Sequence, residues 1–202
     1  MCHGLLQDPK FFALLLRIDH ELAEQTRAVG CCCGGALHRA DYPRKPRGCP
    51  AQTRVEYSSR FSFCCARCRK RWTSRSVRFL GRRVFVALAM VLRSTQRAAA
   101  SPAAAELGAA LGACRRTVQR WRTWWLEEFP ATPLWRALAA RFMPTVAVEW
   151  LPASLVQAMT GTPAEVFMRL LVLLSPLTIC RPGAAAGDPA ARCSPPSRRG
   201  CP

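Results

Sequence analysis

Acidic residues are scarce in this chain, and their scarcity argues against one class of enzyme. The 202 residues include 12 Asp and Glu against 30 Lys and Arg, giving a formal net charge of +18. Nucleases and transposases of the two-metal type need clustered carboxylates at the ends of strands. The acids here lie mostly in helix-like segments, and the three histidines have no nucleophile in evident register. We therefore predict no catalytic centre.

Long hydrophobic runs are also missing. The longest apolar runs, residues 84–92 and 170–174, fall short of the roughly 20 residues needed to cross a bilayer. Residues 11–16 form a run too short for the core of a secretory signal. We therefore expect a cytoplasmic, nucleoid-associated protein that makes no membrane contact.

Lysine is rare among the basic residues, since only Lys10, Lys45 and Lys70 are present. The guanidinium group of arginine binds phosphate and guanine through two parallel hydrogen bonds, which lysine does not match. Together with the net charge, this favours a polyanionic partner. A GC-rich coding sequence is the alternative explanation, because Ala, Gly and Pro are abundant as well.

Cysteine, in contrast, is plentiful and unevenly placed. Twelve cysteines in an intracellular chain favour metal binding over disulfides. Six of them form two clusters about thirty residues apart: Cys31, Cys32 and Cys33, then Cys64, Cys65 and Cys68.

A structural zinc site needs four soft ligands, usually as two close pairs. Cys65 and Cys68 have C-x-x-C spacing, and Cys31 and Cys33 have C-x-C spacing. The glycines at 34 and 35 suit the tight turn of such a pair. We predict zinc on these four cysteines. The choice among Cys31, Cys32 and Cys33, and between Cys64 and Cys65, stays open, and His38 is a weaker substitute.

Hydrophobic spacing divides the chain into five segments. Residues 8–29 predict an N-terminal helix that ends at Gly30, and residues 30–75 a cysteine module with a strand over 55–63. Residues 76–130 predict a helix-turn-helix, residues 131–175 further C-terminal helices, and residues 176–202 a disordered tail. The predicted fold class is mainly α, a helix-turn-helix domain with a small zinc-ribbon-like β module.

The helix-turn-helix prediction depends on residues 102–128. A helix over 103–111 is followed by Gly112 and by a second helix over 115–128, which begins after Cys114. The first turns of the second helix carry the side chains that would enter the major groove. These candidate DNA contacts are Arg115, Arg116, Thr117, Gln119 and Arg120. Arg122 would contact phosphate or close the core. The alternative is a plain helical hairpin with a solvated basic face.

No acidic residue occurs between Glu56 and Glu106. A solvated face normally mixes both signs, so an acid-free block favours a continuous anionic partner. Arg69 and Arg71 are its candidate phosphate contacts. Its basic residues are Arg60, Arg67, Arg69, Lys70, Arg71, Arg75, Arg78, Arg82, Arg83, Arg93 and Arg97.

Three stretches carry a resemblance to a known group. Residues 33–48 (CGGALHRADYPRKPRG), 60–71 (RFSFCCARCRKR) and 76–83 (SVRFLGRR) resemble uncharacterised bacterial proteins with zinc-ribbon and helix-turn-helix segments. These are similar to the N-terminal DNA-recognition regions of insertion-sequence transposases. The resemblance covers about residues 8–175. It implies recognition of a transposon end or site, with the cysteines as metal ligands and residues 115–122 as the recognition helix.

The expected function is thus sequence-specific binding of double-stranded DNA without a catalytic domain. Two alternatives remain. One is a protein-interaction module that assists a separately encoded transposase. The other is RNA binding, because an arginine-rich block does not by itself distinguish between duplexes.

Overall fold

A computed structural model describes residues 2–80, 84–95, 107–109 and 111–179. The chain is mainly helical with a small antiparallel sheet, as predicted. The helices are α1 Pro9–Val29, α2 Ala87–Thr95, α3 Arg115–Thr123, α4 Pro133–Ala139, α5 Ala153–Gln157 and α6 Pro163–Leu174. The strands are β1 Leu37–Arg39, β2 Tyr42–Pro43, β3 Ser59–Arg60, β4 Ser62–Cys65 and β5 Arg71–Thr73. Among the described helices, none is long and apolar enough to cross a membrane.

Helix α1 follows its predicted bounds because both of its ends are encoded locally. The Asp8 carboxylate accepts hydrogen bonds from the backbone N–H groups of Lys10 (2.9 Å) and Phe11 (3.3 Å). Pro9 occupies the first helical position, where its missing N–H costs nothing. Gly30 ends the helix with φ of 72°, a conformation that favours glycine.

The cysteine segment folds into two short antiparallel sheets. The first has the strand order β1-β4-β5, and the second pairs β2 with β3. The predicted strand over 55–63 is correct only in its second half. Tyr57 lies in a turn, fully buried, and its hydroxyl donates to the Phe12 carbonyl of α1 (2.9 Å). Val55 is 80% exposed, so the alternation of apolar residues from Val55 onward does not correspond to one buried face of a strand.

Two hydrophobic clusters form the interior. The larger is mainly helical and is centred on α2, in which Ala87 to Leu92 are all buried. The smaller lies beneath the cysteines and consists of Ala23, Cys31, Leu37, Phe61, Phe63 and Cys65. Because Ala23 belongs to α1, that helix contributes to both clusters.

The C-terminal helices α4, α5 and α6 form within the predicted segment of residues 131–175. The Thr162 hydroxyl and the Glu165 carboxylate cap the N-terminus of α6 reciprocally. The prediction of a disordered tail from residue 176 is wrong for its first residues. Ser175–Thr178 form a turn of 3-10 helix, and Thr178 is buried. Residues 180–202 lie outside the described part of the chain.

Two arginines of the acid-free block are structural, which corrects their assignment to an anionic partner. Arg60 and Arg78 are each 1% exposed. Arg60 donates to the carbonyls of Phe79 (3.0 Å), Ser74 (2.9 Å) and Thr178 (3.2 Å).

Arg78 forms an ion pair with Asp19 of α1, which is also buried (Nε–Oδ2, 2.7 Å). The carboxylate also accepts from the Ser76 hydroxyl and the Val77 N–H, both at 2.6 Å. A buried charge is tolerable only with such a complete set of partners.

Removal of one charge from this pair tests its role. Asp19→Asn leaves the Arg78 guanidinium buried beside a neutral amide, and we expect a loss of about 3–5 kcal/mol in the free energy of unfolding. Urea titration measures it. Glu24→Gln is the control, because Glu24 pairs with Arg27 on an exposed surface (3.8 Å) and should change stability by less than about 1 kcal/mol. Equal effects of the two substitutions would show that the buried pair is dispensable.

Candidate metal centre and basic surfaces

The four cysteines predicted as ligands come together at the end of α1. Cys31 and Cys33 follow Gly30 directly, so the helix terminus positions the first pair. Cys65 is the last residue of β4, and Cys68 lies in the turn that leads to β5. Two turns from distant parts of the sequence thus face each other.

The sulfur positions suit a tetrahedral metal ion. All four Sγ atoms lie within 4.8 Å of one another. The Sγ–Sγ distances are 3.5 Å for Cys31–Cys68, 3.5 Å for Cys31–Cys33 and 3.4 Å for Cys33–Cys65. Tetrahedral ligation at about 2.3 Å would separate the sulfurs by about 3.8 Å. A disulfide requires about 2.05 Å, and all four thiols are free.

Backbone geometry around the sulfurs explains the residues between the ligands. The Cys68 N–H points to the Cys65 sulfur (N–Sγ 3.5 Å). Gly34 has φ of 75°, and its N–H donates to the Cys31 carbonyl (2.8 Å). A Cβ at Gly35 would lie 2.7 Å from both the Cys65 sulfur and the Arg67 Cβ. The first turn therefore has room for glycine alone where it meets the second.

The thiols differ in acidity because their hydrogen-bond donors differ. The Cys33 backbone N–H lowers the pKa of Cys31. The Cys68 N–H, together with the Cys33 thiol, lowers the pKa of Cys65 to about 6. The Lys70 N–H also acts to lower the pKa of Cys68, but burial and the three neighbouring sulfurs outweigh it and raise that pKa to about 12. A divalent cation favours thiolate at every ligand.

The structure also separates the four ligands from their competitors. Cys32 and Cys64 lie outside the four-sulfur group. Cys64 stands opposite His38 and Arg71 across the sheet, and its sulfur approaches the Arg69 carbonyl (3.6 Å). Since β4 alternates its faces, Cys64 and Cys65 point to opposite sides of the sheet. The sequence spacing alone did not reveal this difference.

The turn between Cys65 and Arg71 carries an exposed basic surface. Arg67, Arg69 and Arg71 are all exposed, and the Arg67 guanidinium donates to the Cys33 carbonyl (2.9 Å). Arg69 has φ of 59°, unusual for a residue with a side chain. The backbone N–H of Arg69 donates to the Cys65 carbonyl (3.0 Å), which closes the turn. A divalent metal ion bound by four thiolates would carry a formal charge of −2, which these cations would offset locally.

Helix α3 is amphipathic, with one face buried against the core and the opposite face exposed. Val118 and Trp121 are buried, and the Trp121 ring meets Phe85 edge-on at 5.0 Å between centroids. Thr117 and Arg122 are half-buried. The other predicted DNA contacts are exposed on the outer face: Arg115, Arg116, Gln119 and Arg120.

The structure describes the turn before α3 but only part of the helix that precedes it, so the predicted helix-turn-helix stays a prediction. Residues 107–109 and 111 are helical, Gly112 has φ of 57°, and α3 begins at Arg115. Leu107 and Leu111 are buried in the larger cluster. The predicted helix over 103–111 lies partly outside the described residues, at 103–106 and 110, and Arg82, Arg83 and Arg97 lie outside them too.

A third group of basic residues was not assigned by sequence reasoning. Lys45 and Arg47 are exposed in the segment between β2 and Gly48, and Arg44 is half-buried there. The available signal was the run Pro-Arg-Lys-Pro-Arg, in which prolines separate the basic residues.

Metal content tests the four-cysteine site. We expect the purified protein to retain about one equivalent of a divalent metal ion, measured by elemental analysis after dialysis. Cys65→Ser/Cys68→Ser should lose it, because two of four soft ligands are removed. Cys64→Ser is the matched control and should keep it. Metal-free protein with an unchanged fold, or equal loss in the control, would contradict the assignment.

The N-terminus of α3 offers a test of local stability. Cys114 occupies the cap position, yet its side chain makes no capping hydrogen bond. Cys114→Ser supplies a hydroxyl that can accept from the backbone, and we expect about 1 kcal/mol of added stability in thermal unfolding. Cys114→Ala lacks an acceptor and should bring no gain. A stabilising effect of the alanine variant that equals that of serine would exclude capping as the cause.

Comparison of the chain with protein families, curated proteins and solved structures found no match.

Proposed function

We propose that this protein binds double-stranded DNA without catalysing a reaction on it, with zinc holding the cysteine module and α3 acting as the recognition helix. The observation that carries the proposal is the outer face of α3. Arg115, Arg116 and Arg120 are exposed, and none of them pairs with an acidic residue in the described part of the chain. Such a face attracts phosphate and can enter a major groove.

The residues along α3 suit base recognition. Arginine donates two hydrogen bonds to guanine, and glutamine pairs similarly with adenine. Arg116 and Arg120 are four residues apart and therefore share one face of the helix with their neighbour Gln119. The larger core anchors the opposite face through Trp121. We propose that the helix ending at residue 111 and α3 together form a helix-turn-helix.

Zinc is the metal that best fits four thiolates in a closed tetrahedral site. The smaller cluster has only six buried residues, too few to hold the module by burial alone. We propose a structural role for the metal, since four protein ligands leave no open position for substrate. In the described residues, these cysteines form the one group of three or more side chains that could hold a metal ion.

The biological setting belongs to the proposal as well. About residues 8–175 resemble uncharacterised bacterial proteins that are similar to the recognition regions of insertion-sequence transposases, and this resemblance suggests a transposon end as the target. A separately encoded transposase is then the natural source of catalytic activity.

Gel-shift titration with zinc present tests duplex binding. We expect the binding constant to fall steeply between about 50 and 200 mM salt, because phosphate contacts release counterions. Selection from a random duplex pool supplies the preferred sequence. A double-stranded RNA of the same sequence is the comparison probe. Failure to bind duplex DNA at low salt, or tighter binding of the RNA, would refute the proposal.

Four substitutions separate recognition from general attraction. Arg116→Ala and Arg120→Ala should each cost about 1–3 kcal/mol on the selected sequence and little on random duplex. Arg69→Ala and Arg71→Ala should weaken both probes alike. If all four variants lose the same affinity on both probes, α3 does not read bases.

A further inference from the structure

The segment of residues 42–48, hereafter the basic strap, connects the cysteine module with the helical core. Its sequence is Tyr-Pro-Arg-Lys-Pro-Arg-Gly. At its first end, the Tyr42 ring lies 5.9 Å from the guanidinium carbons of both Arg44 and Arg71. Because Arg71 belongs to β5 of the cysteine module, this end of the strap lies beside the proposed phosphate contacts.

The other end of the strap is fixed beside the proposed recognition helix. The Arg47 N–H donates to the Val84 carbonyl (3.1 Å), and the Val86 N–H donates to the Arg47 carbonyl (3.0 Å). Between these two partners lies Phe85, whose ring packs on Trp121 of α3.

Gly48 completes this attachment. It has φ of 79°, and a Cβ there would lie 2.7 Å from the Ala89 Cβ and 2.8 Å from a Leu111 methyl. The chain can pass this close to α2 and to the turn before α3 because residue 48 has no side chain.

Two of the strap's three basic side chains, Lys45 and Arg47, form no ion pair within the described residues, although the Arg47 guanidinium lies 6.0 Å from the centre of the Phe85 ring. Both are exposed. Pro43 and Pro46 restrict the backbone on either side of Lys45. Arg44 differs from both, because its guanidinium lies over the Phe79 ring at 5.2 Å and is half-buried.

We propose that the basic strap is a third DNA-contacting element, with Lys45 and Arg47 on backbone phosphates between the site of the cysteine module and that of α3. This inference rests on the proposed function. Seven residues span at most roughly 25 Å, equal to about seven base pairs of duplex rise. The first end of the strap adjoins the proposed contact at Arg71, and the other end is tied through Phe85 to the buried face of α3, so we expect a duplex that meets both surfaces to pass close to the strap.

The test compares two double variants with the same change in net charge. Lys45→Gln/Arg47→Gln removes both strap charges but keeps polar, uncharged side chains at both positions. Arg136→Gln/Arg141→Gln removes two exposed charges from α4 and the turn that follows it. We expect the strap variant to lower affinity at least tenfold and to reduce the salt slope by about two, equally on selected and random duplexes. The control should change affinity by less than threefold.

The outcomes distinguish failure of the strap proposal from failure of the proposed duplex binding. If wild-type protein binds duplex DNA and the two variants bind alike, the strap makes no contact and the proposed function stands. If the strap variant loses affinity for the selected sequence alone, it reads bases and the phosphate assignment is wrong. If wild-type protein does not bind, the proposed function fails and the strap inference fails with it.

Thermal unfolding of both variants shows whether each is folded. A strap variant that has unfolded is replaced by Arg47→Lys/Lys45→Gln, for which we expect the salt slope to change by about one.

Discussion

The buried carboxylate of Asp19 is the constraint on which the rest of this structure depends. It accepts hydrogen bonds from Ser76, Val77 and Arg78, and so fastens α1 to the segment that leads into α2. The Arg78 guanidinium lies 5.0 Å from the ring centre of Tyr57 and 4.6 Å from that of Phe61. Tyr57 belongs to the helical cluster and Phe61 to the cluster under the cysteines. One ion pair therefore sits where the two hydrophobic cores meet. Such a pair adds little stability over an apolar substitute, but it penalises any arrangement that leaves either charge alone.

Arginine consequently has two roles in this chain, and local sequence does not distinguish them. Arg78 and Arg71 lie in the same acid-free block, yet the first is 1% exposed and the second lies open to solvent. The acid that neutralises Arg78 is 59 residues away, so a count of nearby acids could not find it. Arg60 is harder still to anticipate, since its partners are the backbone carbonyls of Ser74, Phe79 and the distant Thr178, and not an acidic side chain. A basic block therefore indicates an anionic partner only through those of its arginines and lysines that are exposed.

The features that sequence predicted well are those encoded within a few residues. The bounds of α1, its terminal Gly30 and the C-x-x-C turn each depend on neighbours in the chain. The failures come from contacts across the fold. Tyr57 leaves the predicted strand because its hydroxyl bonds to α1. Thr178 joins the core because Arg60 needs acceptors there, although the composition around it is that of a tail. The choice of Cys65 over Cys64 as ligand required the face of β4, and that register is set by β1 and β5.

Helix α1 links the cysteine module to the helical core. Asp19 joins its middle to the helical core, while Cys31 follows its C-terminus and enters the four-sulfur group. The cysteine module is therefore not carried on a flexible linker, because the same helix contributes residues to both hydrophobic clusters. A metal ion on the four thiolates would hold the turn after α1 against the turn after β4, and hence the arginines of that second turn. Rigid spacing between two basic surfaces matters for a duplex ligand, whose phosphates recur at fixed intervals. If the protein binds a duplex as proposed, a metal ion at the four cysteines would affect the affinity through the position of these arginines and not through a contact of its own.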